Sequence, residues 1–423
     1  MSDRAPDSPT RLLNVNFLTL WSGQVVSQVG DQAFLVVMMF WIKEATGSAS
    51  VVGLLMMLSS LPALLVGPFA GALADRHSRR QILLVADLAR GLDLILLSAV
   101  LFLWHGPKSW LVLLFFVVAV FNSVVNAAFA PAISATIPDL VPKARIAGAA
   151  SFNQVSSRLV VFVGQAGAGS LYRILGAPVL CALDGITFLV SAFSVTLTKF
   201  PVPSLRAPAA SAQVLRNYLE ATREGLRYVR SRPGMWKYLW TSASLNFFFM
   251  PIFVLLPFYV EETLSARIDF YGYLMAAFAI GGLLGSALPG ALGLTGRRRG
   301  LVTIACLLAT SLLFVLLGWL QSVPGAIVVL FGVGVTSGLV NVTVITLFQA
   351  STPSELRGRV MSLLIAMSRA VSPLGMAAGG VLGDLSHGGI PKIYILCGLA
   401  SLLVSLSMTA STSFREFLTW QEH

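Results

Sequence analysis

The sequence predicts an all-α integral membrane protein of twelve transmembrane helices arranged as two pseudo-symmetric six-helix bundles. Three observations predict it: a shortage of charge, long apolar runs along the whole chain, and an internal repeat. Of 423 residues, 56% are hydrophobic and only 11% charged, too little charge to cover the surface of a soluble protein of this size. Apolar runs recur at 16–41, 50–74, 81–104, 110–136, 146–175, 177–198, 236–260, 269–293, 300–320, 324–350, 360–384 and 391–412. A run of about 20 residues, at 1.5 Å per residue, crosses a hydrocarbon core of about 30 Å. Barrel strands would be half as long and would alternate in polarity, so helices are expected.

Net charge is +11, but its distribution argues against nucleic acid. With the N-terminus inside, 21 Lys/Arg fall in cytoplasmic segments and three in spans. Five fall outside: Lys43, Lys108, Arg173, Arg267 and Lys392. That asymmetry is the positive-inside pattern, with both termini cytoplasmic and the bilayer as partner. The first apolar run is too long for a cleavable signal peptide and lacks a small-residue cleavage pattern. Cys181, Cys306 and Cys397 all lie within spans and read as packing residues, not a disulfide framework.

The repeat sets the domain plan. Shifting the chain by 219 residues superposes Gly53 on Gly272, Met56 on Met275, Gly71-Ala72-Leu73 on Gly290-Ala291-Leu292, and Arg79-Arg80 on Arg298-Arg299. A shift of 211 superposes Pro142 on Pro353, Ser157-Arg158 on Ser368-Arg369, Gly164 on Gly375 and Gly169 on Gly380. Residues 1–198 and 236–423 are thus read as parallel copies of one bundle. Residues 199–235 form a basic linker, where Val214, Tyr218, Ala221, Leu226 and Val229 trace one face of a helix. It is expected either to lie on the inner leaflet or to stand as a solvated connector. Small-residue pairs at Gly67/Gly71, Gly281/Gly285 and Gly375/Gly379 are expected to let helices approach closely, since lipid supplies no hydrophobic drive for association.

Certain stretches carry a resemblance. Gly71-Ala-Leu-Ala-Asp75-Arg76-His-Ser78-Arg79-Arg80 resembles the loop signature between helices two and three of the major facilitator superfamily, with Ser78 where that family has glycine. The second copy, ending Arg298-Arg299, has Leu294 in place of the acid. Five stretches are similar to the macrolide-efflux and siderophore-exporter branch: Gly30-Asp31, Thr46-Gly47-Ser48, Ala86-Asp87-Leu-Ala-Arg90, Glu224 to Arg230, and Pro353 to Arg359. The resemblance implies a bacterial inner-membrane carrier with a central cavity alternately open to each side. Its usual activity would be proton-driven export; the resemblance does not name a cargo, and the leading expectation is amphipathic small molecules such as drugs or macrolides, carried by a protein functional as a monomer. The antiporter signature of helix five stands here as Gly164-Gln165-Ala166-Gly167-Ala168-Gly169, with Gln165 replacing proline and Ala168 replacing glycine. An anionic metabolite, a siderophore or a flipped lysolipid is the competing cargo, and a membrane sensor or scaffold the competing class.

Ionisable groups inside a membrane cost at least about 2.5–3.5 kcal/mol each and mark function. Asp31 lies about 22 Å along helix one. It has Gln28 and Gln32 beside it and no basic residue near it in sequence. Burial disfavours a carboxylate's charged form, so Asp31 is the candidate proton-coupling acid; the alternative is a permanent pair with Arg158 or Arg369. Those two arginines are repeat-related. They read either as binders of an anionic group, together with Asn126 and Asn341, or as counter-ions to Asp31. Asp87, Arg90 and Asp93, at i, i+3 and i+6, read as a structural charge cluster in which Arg90 reaches either acid. By resemblance helix three stands outside the cavity. Helix seven brings Asn246 and a run of phenylalanines, broken by Pro251 and Pro257, to an apolar cavity wall.

There is no Gly-x-x-x-x-Gly-Lys phosphate loop, and His77, His105, His387 and His423 are scattered. No catalytic constellation, metal site or cofactor is therefore expected, and the chain reads as a non-enzyme. Gly71, Asp75, Arg76, Arg79 and Arg80 form the expected gating signature, in which Asp75 meets nearby arginines and the start of helix eleven. A helix N-terminus favours a carboxylate, and a contact made in one state of a cycle biases it. Asp75→Asn is expected to lower the maximal transport rate more than the apparent substrate affinity, read from the concentration dependence of uptake; an unchanged maximal rate removes the gating role.

Overall fold

The computed structural model describes residues 14–76, 78–200 and 211–418, with side chains except at 68–76, 211–215, 217, 218 and 221. Among the described residues the chain is helical throughout, with no strand. The long helices are α1 (Val15–Thr46), α2 (Ala49–Arg76), α3 (Arg79–Leu103), α4 (Lys108–Thr136) and α5 (Ile146–Leu197). A connecting helix α6 (Ser211–Arg230) leads to α7 (Pro233–Val254), the short α8 (Leu256–Phe258), α9 (Asp269–Ala291), α10 (Gly296–Trp319) and α11 (Val323–Ser351). Then come α12 (Ser354–Ala370), α13 (Ser372–Leu385), α14 (Ile390–Thr409) and α15 (Thr412–Leu418).

Among the described residues, ten helical stretches are long and apolar enough to cross a membrane. The difference from twelve has two physical causes. The stretch through α5 is two spans in one, broken where Gly176 takes φ 74° and ψ 170°. Helix α3 has the length, but Asp87, Arg90 and Asp93 interrupt its apolarity. That helix is built inside out at its centre: Asp87 and Arg90 are buried while Val85, Leu92 and Leu96 are more than half exposed. An apolar exterior around buried charge is stable only where the surroundings are lipid.

Two helices are broken by proline. Pro251 and Pro257 bracket the break after Val254, and a wide turn at Tyr259–Thr263 follows. Pro373 follows the break at Val371 between α12 and α13.

The chain forms two compact units: residues 1–41 with 62–215, and residues 42–61 with 216–423. In the first, α3 lies along the second part of α5, where Gly91 and Gly185 face each other. A Cβ on Gly91 would stand 3.0 Å from the Gly185 carbonyl oxygen, and one on Gly185 2.9 Å from that of Gly91. In the second, Gly281 and Gly285 meet α11 at Phe331 and Val335, while Gly375 and Gly379 meet α7 at Phe247 and Pro251. Gly67 departs from expectation: its Cβ position is open, because no helix lies against it there. Its partner in that pair, Gly71, is outside the described side chains.

The last turns of α6 set their apolar side on protein, while Leu219 is exposed. Val229 is buried, and Leu226 and Tyr228 pack with it against Met235, Trp236 and Leu356. Arg216, Arg223, Arg227 and Arg230 are exposed. Val214, Tyr218 and Ala221 lie outside the described side chains. The three cysteines are free thiols.

Gly91→Val forces the α3–α5 backbones apart and is expected to cost about 1–3 kcal/mol. A fall in detergent melting temperature with the same elution volume checks this; wild-type melting would show that the two helices do not depend on that contact.

Candidate functional site

One face of α1 carries Trp21, Gln24, Gln28, Asp31 and Gln32, at helical spacing. Together with Arg90 of α3, Asn126 and Phe129 of α4, and Asn153 and Ser157 of α5, they line a cavity of about 310 Å³ in the first unit. Its wall is unusual for a membrane interior: amides, three serine hydroxyls, a carboxylate and a guanidinium interleaved with aromatic and aliphatic side chains.

Arg90 organises this cavity. Its guanidinium forms an ion pair with Asp31, donates from Nε to Asn122 Oδ1 at 3.0 Å, and rests 4.0 Å over the Phe188 ring. Asn122 in turn donates to Asp93 Oδ2 at 2.9 Å. Asp87 points elsewhere: its Oδ2 accepts from Ser191 at 2.7 Å and from Gln24 at 3.4 Å. The expected cluster internal to α3 is therefore corrected. The i, i+3 spacing allows Arg90 to meet Asp87 or Asp93, but its ion pair is made to Asp31 of α1. Asn122 donates to Asp93, and Ser191 and Gln24 donate to Asp87 Oδ2, while Asp87 Oδ1 is left without a partner. Helix three also reaches the cavity rather than standing outside it. The partner of Asp31 is Arg90, neither Arg158 nor Arg369.

Arg90 is 5% exposed, whereas the Asp31 side chain is 29% exposed on the cavity. Water can thus reach the acid but not its counter-ion, so the pair can be opened from one side.

The other expected residues are spread out. Arg158 is half-buried on α5, one residue beyond Ser157. Arg369 is exposed on the last turn of α12, and Asn341 is exposed on α11. Arg79 pairs with Asp139 and donates to the Ala135 carbonyl at 2.8 Å. Arg80 donates to the Thr196 carbonyl at 3.0 Å. Gly71, Asp75 and Arg76 lie on α2, outside the described side chains. In the altered helix-five signature, Gln165 donates to Gln32 at 2.8 Å, and a Cβ on Gly164 would sit 2.8 Å from the Val29 carbonyl oxygen. The glycine lets α5 close onto α1 beside Asp31, and glutamine replaces proline's rigidity with a hydrogen bond.

A second polar cluster binds residues 42–61 into the second unit. Asp384 of α13 caps α2, accepting from the Ala49 amide at 2.7 Å, the Ser50 amide at 3.0 Å and the Ser48 hydroxyl at 2.6 Å. These are the orphan donors of a helix start, met by a carboxylate from another helix. The buried Lys43 pairs with Glu261 at 2.5 Å and donates to the Pro257 carbonyl at 2.9 Å. In the same unit, Glu224 of α6 pairs with Arg359 of α12.

Sequence reasoning missed Asp184, Asn122, Asp384 and the Lys43–Glu261 pair. Asp184 was findable: it is an acid in the middle of the sixth apolar run, where an ionisable group marks function. The others lie in short connections or make contacts that no sequence spacing announces. Among the described residues no group of His, Cys, Asp and Glu could hold a metal ion.

Comparison with known proteins follows this geometry. A family model described as Major Facilitator Superfamily matches residues 20–376. Macrolide efflux protein A of Streptococcus pyogenes is 26% identical over 397 residues, covering 93% of this chain and 95% of its own. Multidrug efflux pump Tap of Mycolicibacterium fortuitum is 25% identical over 413 residues, 96% of each chain. A solved point mutant of the nucleoside transporter NupG superposes with a TM-score of 0.74 at 12% identity, covering 93% of this chain and 99% of the other. At that identity it speaks for the fold alone.

If Arg90 is held chiefly by Asp31, a double-mutant cycle of Asp31→Asn and Arg90→Gln should give a coupling of about 1–3 kcal/mol in chemical denaturation. Additive effects would mean that the two side chains stand independently.

Proposed function

The chain belongs to the major facilitator superfamily, and on that footing we propose that this transporter is a proton-coupled exporter of amphipathic small molecules, of the macrolide or drug type, working by alternating access. The observation that carries the reading is the Asp31–Arg90 pair in the wall of a cavity otherwise lined by amides, hydroxyls, aromatic rings and aliphatic side chains. A cavity of about 310 Å³ falls within the range of small-molecule sites, and its mixed wall suits a cargo with both apolar and hydrogen-bonding surface. Macrolide and multidrug efflux proteins among the relatives support the same class of cargo.

The chemistry follows from the pair. While Asp31 is ionised it holds Arg90 and binds α1 to α3 through their charges. Protonation removes that attraction, so Arg90 must find other partners and the cavity wall relaxes. A proton gradient then favours one form of the wall on one side of the membrane and the other form on the opposite side. Cargo that prefers one form is carried along with the difference. The basic asymmetry of the connecting segments supports termini on the cytoplasmic side. With that orientation, the Asp384 cap and the Lys43–Glu261 pair face outward. Protons, lipid and a single copy of the chain complete the proposed working unit.

A second cargo, an anionic metabolite, siderophore or lysolipid, is favoured by Arg158, a half-buried cation one residue from a cavity-lining hydroxyl. Everted vesicles separate the two. Proton release on adding erythromycin or a cationic dye supports the first, and release on adding a catecholate siderophore or lysolipid supports the second. Asp31→Asn should reduce gradient-driven accumulation of the active compound by at least about tenfold. Accumulation at the wild-type rate would exclude Asp31 as the coupling acid.

A further inference from the structure

Three acids surround one cation in the interior of the first unit. Asp31 comes from α1, Asp87 from α3 and Asp184 from the second part of α5, while Arg90 alone carries positive charge among them. Asp93, also on α3, is turned to Asn122. On its own helix Asp184 has only Cys181 as a titratable neighbour, one turn earlier. Arg90 is already paired with Asp31, so ionised Asp87 and Asp184, both sealed from water, would leave two uncompensated charges. Each would cost several kcal/mol, so some of the acids must be neutral.

Asp87 and Asp184 are the two sealed acids of this cluster with one oxygen unmet. Asp87 has two donors on its other oxygen and Asp184 only one, and that difference singles out Asp184. Asp184 is 2% exposed. Its Oδ1 accepts a 3.2 Å bond from the Thr187 hydroxyl, and its Oδ2 has no partner. A buried carboxylate with an unmet oxygen is costly, whereas a neutral acid tolerates one. The position is nevertheless built. Gly30, which precedes Asp31 in the chain, leaves the space the Asp184 carboxyl occupies; a Cβ there would stand 3.0 Å from Asp184 Cγ and 2.8 Å from the Thr187 hydroxyl. Phe188, one turn beyond Asp184, carries the Arg90 guanidinium on its ring at 4.0 Å. Arg90 is therefore held between the acid it pairs with and the face of α5 that presents Asp184.

We propose that Asp184 stores the coupling proton, holding it while Asp31 is paired with Arg90 and passing it to Asp31 as Arg90 changes partner. The step balances internally. The proton leaves the Asp184 carboxyl and joins the Asp31 carboxylate, and the guanidinium moves from Asp31 to the newly charged Asp184. One proton and one cation are shared by two acids, so the buried cluster keeps its net charge throughout. Exchange with water takes place at Asp31, the cavity-facing member. This inference rests on Asp31 being the coupling acid.

The test is the infrared C=O absorption of protonated carboxyl groups, measured on the full chain purified into lipid. Asp184→Asn should remove one component of that band; asparagine has the shape of the neutral acid and should fit. Asp31→Asn should remove the same component, because Arg90, freed from position 31, turns to Asp184 and ionises it. An Asp184 that is neutral for structural reasons alone would lose the component in Asp184→Asn but keep it in Asp31→Asn. The proposal is overturned if Asp184→Asn matches the wild-type band, or if the component survives in Asp31→Asn. The second variant decides alone should the first not fold. In everted vesicles, pH-driven uptake of radiolabelled erythromycin by Asp184→Asn should fall at least about tenfold, and uptake equal to wild type also overturns the storage role. If the wild type moves no erythromycin under a gradient, it is the exporter reading that fails for this probe, and the infrared comparison still decides Asp184.

Discussion

Electrostatic neutrality in a medium without water is the constraint on which this structure depends. Arg90 is nearly sealed from solvent, so wherever it sits it must find a carboxylate, and the fold around it is arranged to supply one. From that requirement follow the inside-out character of α3, the close packing of α3 on α5, and the polar face of α1. Each brings an acceptor within reach. The aromatic ring of Phe188 and the amide of Asn122 fill the remaining sides of the guanidinium. The apolar runs place the helices in lipid, but this small polar core determines which of their faces meet.

The bundle architecture was legible because hydrophobic length and repetition are local properties. Twelve runs and two superposable halves can be counted without knowing a single contact. The site was legible only in its ingredients. Asp31 and Arg90 both stand out as charges in apolar runs, yet they are 59 residues apart, and helical spacing favoured Asp87 or Asp93 as the partner of Arg90. Sequence spacing describes neighbours on one helix, whereas pairing here is decided between helices, by which side chains the glycine contacts bring together. The same limit hid the capping of α2 by Asp384, whose partners lie 334 to 336 residues away. Asp184 was missed for a different reason. A lone acid in a long run lowers its hydropathy so little that it reads as noise.

The stretches that carried the family resemblance turn out to be two sides of the same contacts. The Gly30-Asp31 pair meets Arg90 of the helix-three stretch. Glu224 of the connecting stretch meets Arg359 of the stretch that opens α12. Thr46-Gly47-Ser48 turns through a left-handed glycine at φ 63° and delivers Ser48 to Asp384. In the first two cases both partners belong to quoted stretches, which is why those stretches look like unconnected fragments when written along the chain. They are halves of bonds, and each makes sense only beside the other.

The break at Gly176 has a consequence for how the cavity wall can work. With φ 74° and ψ 170° the backbone there occupies a region that side-chain-bearing residues avoid. Position 176 thus behaves as a swivel between two rods. The rod before it carries Asn153 and Ser157 on the cavity, and the rod after it carries Asp184, Phe188 and Ser191 docked against α3. Backbone freedom at position 176 would let the cavity-lining rod change direction while the rod behind it keeps its buried charges in register.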